Sequence, residues 1–294
     1  MRNFGKQSYQ HNKKFVNWIK SYPKNFFKLA LQKNKILGCV HGFDAPVKVG
    51  NKVDFFINLH DLMVDKAHRS RLGIKLIKDG LLQNKPVILS GSAGKVSALY
   101  KALGAKKFNS HWYKKSIIPN ILFSFLSFDS NRVLSAQKKS GAKIVNNKSA
   151  DSRKIIKDIL IKYNYDNSAK EFLNWRFLHD NAPLTFFASN ADDVILFTLA
   201  RRRYVPFIRI FSVKKVNNNN FFNLLKGIER FASHMGVVFI LYTITEDVPP
   251  PKSLKYIKYK KEPDFLIFSN SQVDLSQVTV NGFSTDQGFE SHIV

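Results

Sequence analysis

Cysteine is almost absent. Cys39 is the single one in 294 residues, which excludes an internal disulfide framework and a cysteine-based metal site. It stands in the apolar phrase KILGCV, where a small buried hydrophobe is the expected role rather than a nucleophile. No apolar run approaches the roughly 20 residues of a bilayer-crossing helix. The opening MRNFGKQSYQHNKK lacks the apolar stretch of a secretion signal, so a cytoplasmic globular protein is the expectation. Glutamate is missing from residues 1–150, which hold 28 Lys+Arg against 6 Asp, a surplus of 22 positive charges. Residues 151–294 hold 19 Lys+Arg against 15 Asp+Glu, a surplus of only 4. A field as strong as the first attracts a polyphosphate cofactor, an acidic carrier protein, an anionic membrane surface or nucleic acid. Zinc-ligand spacings, a P-loop and a Ser-His-acid arrangement are missing as motifs. No recognised nucleic-acid module is present either. Neither a metal nor a specific nucleic-acid partner is expected.

What is present is an internal echo. KKFVNWIKSYPKNFF begins at Lys13, and KEFLNWRFLHDNAPLTFF begins at Lys170. Phe15, Asn17 and Trp18 match Phe172, Asn174 and Trp175 at one offset, and both phrases run into paired apolar strands. The matched order argues for duplicated domains. After the first phrase, FKLALQ and KILGCVHG form a hairpin about a Lys33-Asn34 turn. VDFFINLHDLMV is a long β-rich run, and LGIKLIKDGLL has helical spacing. PVILSG reads as a buried strand, KVSALYKALG as a helix closed by Gly104, and KKFNSHWYKKSII as one further strand. Residues 116–150 read as a last strand and then a linker. In the second half FFASNADDVILFTLA is a hairpin turning at Asn190 to Asp193, followed by the strand PFIRIFSV, the helix FFNLLKGIERFASHMG and the strand VVFILYTI. The expectation is an α/β chain of the mixed-sheet, α+β kind. Its division is 1–128, a linker over 129–150, and 151–294.

The segment VDFFINLHDLMVDKAHRSRLGIKLIKDGLL, followed by ILSGSAGKVSALYKALGAKKF, resembles the GNAT superfamily of N-acetyltransferases. It looks most like double-domain members in which an F-x-x-W phrase opens each half. The resemblance covers residues 10–115 well and residues 170–270 faintly. It implies two tandem GNAT-like domains, each a mostly antiparallel sheet with a splayed parallel strand pair that binds acetyl-CoA. A strand, a short basic loop and a helix N-terminus together favour an anion, because free N–H groups and the helix dipole converge there. The family loop reads V-x-P-x-x-R/Q-x-x-G-x-G/A. Val64 and Arg69 match its first part, Lys66 stands where proline is usual, and the first glycine is absent. Gly73 fits the last glycine with one residue fewer, so Arg71 or Leu72 takes the space of a close backbone approach. The donor-binding set implied is Leu62, Met63, Val64, Arg69, Ser70, Arg71, Leu72, Gly73, Ile74 and Lys75. Tyr100 occupies the place of the family's helix tyrosine, whose phenol is implied to protonate the departing thiolate. Ala93 replaces the usual asparagine seven residues earlier.

An amine nucleophile must also lose a proton. Alternation along FFINLHDLMV puts Asn58 and His60 on one face, and Ile57, Leu59, Asp61 and Met63 on the other. A carboxylate on an apolar face has its pKa raised, which suits a base. Asp61 is the first candidate and His60 the second. In the second half KKVNNNNFFNLL lacks the basic glycine loop, and no CoA is expected there. Arg176, Arg201 to Arg203 and FSTDQGFE are candidates to shape an acceptor pocket. The expected reaction is acetyl transfer from acetyl-CoA to a primary amine, with double-domain relatives suggesting an amino sugar. Two alternatives stay open: an acidic acyl carrier protein as donor, and a non-enzymatic protein whose basic half binds a membrane surface or nucleic acid.

Overall fold

The computed structural model describes residues 13–68, 71–81, 84–92, 94–108, 110–119, 130–190, 192–202, 205–245, 248–258, 264–269 and 273–280. Helix α1 (Lys13–Ser21) leads into β1 (Asn25–Gln32), β2 (Lys35–Val49) and β3 (Lys52–Val64). Lys33 and Asn34 both take positive φ, 44° and 63°, the two-residue turn whose twist suits a tight hairpin. Then come α2 (Arg71–Leu81), β4 (Val87–Ser92), α3 (Gly94–Ala102) and β5 (Lys106–Phe108). Helix α2 buries Leu76, Ile77 and Leu81, one stripe at helical spacing. At Gly80 an added methyl would lie 3.0 Å from Leu59 Cδ2, so the glycine lets α2 settle close onto β3.

The run expected as one strand after Gly104 is two: β5 ends at Phe108, and β6 (His111–Ser116) belongs to the other sheet. The stretch read as a linker carries α4 (Ser130–Lys139) and β7 (Lys143–Asn146). Next are α5 (Ser152–Lys162), α6 (Lys170–Leu173) with a π turn over Asn174–Leu178, β8 (Thr185–Asn190), β9 (Asp193–Arg202) and β10 (Val205–Lys214). The chain closes with α7 (Asn218–His234), β11 (Phe239–Ile244), β12 (Ile257–Lys258), β13 (Asp264–Phe268) and β14 (Val278–Thr279).

Among the described residues these strands form two mixed sheets. The first runs β1-β2-β3-β4-β13-β5, with β14 on β2; the second runs β12-β6-β11-β10-β9-β8-β7. Each has one parallel pair, β3 with β4 and β10 with β11, in otherwise antiparallel surroundings. The sheets also exchange strands. β13, late in the chain, sits between β4 and β5, while β6 lies against β11.

Alternation sorts the strand residues into layers. Ile57, Leu59 and Leu89 face a core with α2 and α3, and Phe186, Phe197 and Ile208 face one with α4 and α7. Between the sheets, Phe43 and Ala45 from one and Phe187, Leu196 and Phe211 from the other share a core with α1, α5 and α6. The two echoed phrases meet there. The indoles of Trp18 and Trp175 stack at 4.6 Å and 6°. Each donates its Nε1–H to the other's backbone carbonyl at 2.9 Å. The repeat therefore builds a reciprocal contact between the two halves of the chain.

Candidate active site

β3 and β4 run side by side only from Ile57/Val87 to Leu59/Leu89. β3 then continues to Val64 and β4 to Ser92 without pairing, so the sheet opens into a fork. A bulge re-aims β3 at the same place. Cys39 faces Met63 and His41 faces His60, which leaves Asp61 and Leu62 opposite Val40 alone. The bulge corrects the expected alternation. Cys39, His41 and Phe43 alternate on one face of β2, so Met63, opposite Cys39, lies on the face of Asn58, opposite Phe43, rather than with Ile57 and Leu59. Cys39 itself is half-buried rather than fully so.

On one side of the fork stand α2 and α3. Val64 is buried there, with Leu62 and Leu72 packed against the same core. Arg71 and Lys75 are exposed on the first turns of α2, and Ile74 is part-exposed. A methyl at Gly73 would meet, among the described residues, only Val64 Cγ2 at an ordinary 3.7 Å. Packing within the chain thus does not require that glycine. Before α2, the Asp65 carboxylate accepts from Ala67 N–H at 3.0 Å and lies 3.4 Å from His68 Nδ1. These contacts hold its pKa below the usual carboxylate value, with the backbone bond the larger cause. Arg69 and Ser70 lie outside the described residues, as do the side chains of His60 and Asp61. Tyr100 packs from α3 into the core of Ile57, Leu59 and Leu89. Burial pushes its phenol up to about 12, which keeps it a neutral donor.

The opposite side of the fork carries polar groups that the sequence did not single out. Asn58 is fully buried beside Phe43 and accepts from Ser90 Oγ at 3.4 Å. Its Nδ2 has no hydrogen-bond partner among the described residues. One amide inside the apolar run FFINL was the available signal. His41 is buried on the same face, stacked on Phe27 at 4.0 Å, with Nε2 3.3 Å from Asn25 Oδ1. Asn25 donates its Nδ2 to the carbonyls of Ile19 and Tyr22, so its Oδ1 is the acceptor and His41 Nε2 carries a proton.

The second sheet repeats the fork with its openings filled. β10 and β11 pair from Phe207/Phe239 to Ile210/Tyr242, and Phe211 bulges directly after. Thr243 Oγ1 donates to Ile210 O at 3.2 Å, and Tyr163 OH meets Ser212 Oγ at 3.1 Å. Where α7 begins, Asp193 Oδ1 accepts the N–H groups of Val216 and Asn217, and Asn217 Oδ1 accepts those of Asn219 and Asn220. A carboxylate and an amide from the chain itself thus occupy the donors that an incoming phosphate needs.

Of the acceptor-pocket candidates, Arg176 is fully buried, its guanidinium 5.6 Å from the Trp18 ring and 5.9 Å from that of Phe211. Arg201 lies in β9, while Arg203 and FSTDQGFE fall outside the described residues. A separate basic groove of about 1060 Å³ is lined by Lys148, Arg153, Lys157, Lys170, His179 and others from residues 147–180, none on β3 or β4.

No family model and no curated protein sequence matches the chain. Solved structures do. A GCN5-related N-acetyltransferase from Anabaena variabilis ATCC 29413 superposes with a TM-score of 0.55 at 11% identity, over 92% of this chain and 68% of that one. A conserved protein from Enterococcus faecalis V583, described as a probable N-acyltransferase, gives 0.52 at 14% identity over 90% and 65%. This chain therefore spans about two thirds of the length of each. At such identities the likeness is one of architecture, and that architecture is the fold of the GCN5-related N-acetyltransferases.

Proposed function

We propose that the protein is an acyltransferase that moves an acetyl group from acetyl-CoA to a primary amine at the β3–β4 fork. The observation that carries this reading is the end of β3–β4 pairing at Leu59/Leu89, beside the start of α2 and the buried Tyr100. The thioester enters from the α2 and α3 side, with its phosphates near Arg69, Arg71 and Lys75. The acceptor approaches the face of Asn58 and His41. The amine attacks the thioester carbonyl, a C–N bond forms, and the C–S bond breaks. Asp61 or His60 first takes a proton from the acceptor ammonium, Tyr100 gives its phenolic proton to the departing thiolate, and the second proton shed by the acylated nitrogen restores the phenol. Asn58 Nδ2 supplies a donor to the acceptor or the acyl oxygen. The filled second fork supports a single donor site per chain. An amino sugar is the acceptor class that the double-domain resemblance favours.

Thermal shift tests the donor. At one hundred times Kd, acetyl-CoA is expected to stabilise the protein by about 2.7 kcal/mol, and an amine acceptor should then release free CoA thiol. The reading fails if no acyl-CoA moves the transition and no amine releases thiol. The surplus of 22 charges in residues 1–150 favours a second donor, an acidic acyl carrier protein. In that case carrier-dependent rates fall with salt while CoA-dependent ones are negligible.

A further inference from the structure

Strand β1 has two unlike faces. Phe26 and Ala30 pack against the core under α2. On the other face Phe27, Leu29 and Leu31 stand opposite His41, Cys39 and Ile36 of β2. That face is bare: Phe27 is 49% exposed, Leu29 54%, Leu31 61% and Ile36 59%. β1 is also the edge of its sheet. A long apolar edge in water is a liability that proteins normally blunt or cover.

The charged residues of the hairpin itself, from Asn25 to Phe43, are of one sign. Lys28, Lys33 and Lys35 are exposed on the hairpin. Residues 1–43 hold nine Lys+Arg and no Asp or Glu. Nearby carboxylates are engaged: Asp44 with Lys85, Asp54 with Phe55 N–H, Asp65 with Ala67 N–H and His68, and Glu171 with Lys24.

We propose that the β1–β2 hairpin docks the protein on an anionic lipid bilayer. Phe27, Leu29, Leu31 and Ile36 enter the interfacial layer, and the lysines meet the headgroups. Charge decides among the occupants. A second copy brings the same cations to the same edge and is repelled, whereas an anionic bilayer offers both an apolar boundary and counter-charge. No described helix is long and apolar enough to cross a membrane, and the attachment is to the surface. The strip lies on the sheet face that also carries His41, Phe43 and Asn58, so docking turns that side of the fork toward the lipid. The proposal stands apart from the acyl-transfer reading, because its test reads association alone.

The experiment is co-sedimentation of the full chain with phosphatidylglycerol–phosphatidylcholine vesicles and with phosphatidylcholine vesicles. Partitioning onto the anionic vesicles is expected to be at least about tenfold stronger. Leu29→Asp with Leu31→Asp should lower it by about tenfold or more, and Lys33→Gln with Lys35→Gln should also weaken it. These side chains are exposed, and an unchanged circular-dichroism melt confirms that the variants fold. Equal binding to both vesicle types overturns the proposal. So does anionic binding that the leucine variant leaves unchanged. A dimer in sedimentation velocity that the leucine variant dissociates would assign the strip to self-association and also overturn it.

Discussion

Tyr100→Phe is expected to lower turnover by about 10²- to 10⁴-fold, the usual worth of a general acid, while leaving thermal stability nearly unchanged. The two expectations separate chemistry from packing. The ring lies in the core of Ile57, Leu59 and Leu89, and phenylalanine keeps that apolar contact. Only the proton donor is lost. Burial holds the phenol at about 12, well above the ordinary value, so it remains protonated across the working range. The wild-type rate should therefore not decline through tyrosine ionisation until the pH passes about 10. The linkage sign agrees: the folded state favours the neutral phenol. Stability from this group is complete below the unfolded value near 10 and is lost as pH rises toward the folded value of about 12. Steady-state kinetics with a good amine acceptor decides the matter. A Tyr100→Phe enzyme within about threefold of wild type would remove Tyr100 from the proton path, since the acid role calls for about a hundredfold or more.

Trp18→Ala should cost about 3–5 kcal/mol and destabilise both halves together. Trp18 has no exposed surface, stacks on Trp175 at 4.6 Å, and takes part in both reciprocal indole–carbonyl bonds. Truncation removes the stack, opens a cavity, and leaves the Trp175 carbonyl without its indole donor. Because the core around Trp18 draws from both sheets, urea unfolding of the variant should remain one transition moved to lower midpoint. A Trp18/Trp175 double-mutant cycle is expected to give a coupling of about 0.5–3 kcal/mol. Independent transitions, with only the first half shifted, would contradict the shared core.

Part of this architecture is legible from residue pattern. The Lys33-Asn34 turn, the helix closed by Gly104 and the α7 stripe follow from local chemistry, and the fork sits where the family-like motif implies it. The strand exchange is not legible. β6 and β13 are short strands of ordinary composition, and an edge accepts any strand with matching alternation whatever its place in the chain. The segment 129–150 misleads for a related reason: α4 buries Val133 and Ala136 behind a polar surface that reads as linker. The echoed tryptophans signal duplication in the sequence, yet their contact across 157 positions exists only once both halves fold. Asp193 is one acidic residue of two in a hairpin turn, and only the fold brings it to the start of α7.

The proposed reaction places the donor in one fork of the two. Amide hydrogen exchange with and without acetyl-CoA tests it directly. Slowed exchange is expected over residues 60–75 and 94–100, with no change over residues 214–220, where Asp193 and Asn217 already bond the amides of Val216, Asn217, Asn219 and Asn220. Protection at 214–220, or none at 60–75 under saturating donor, would contradict it.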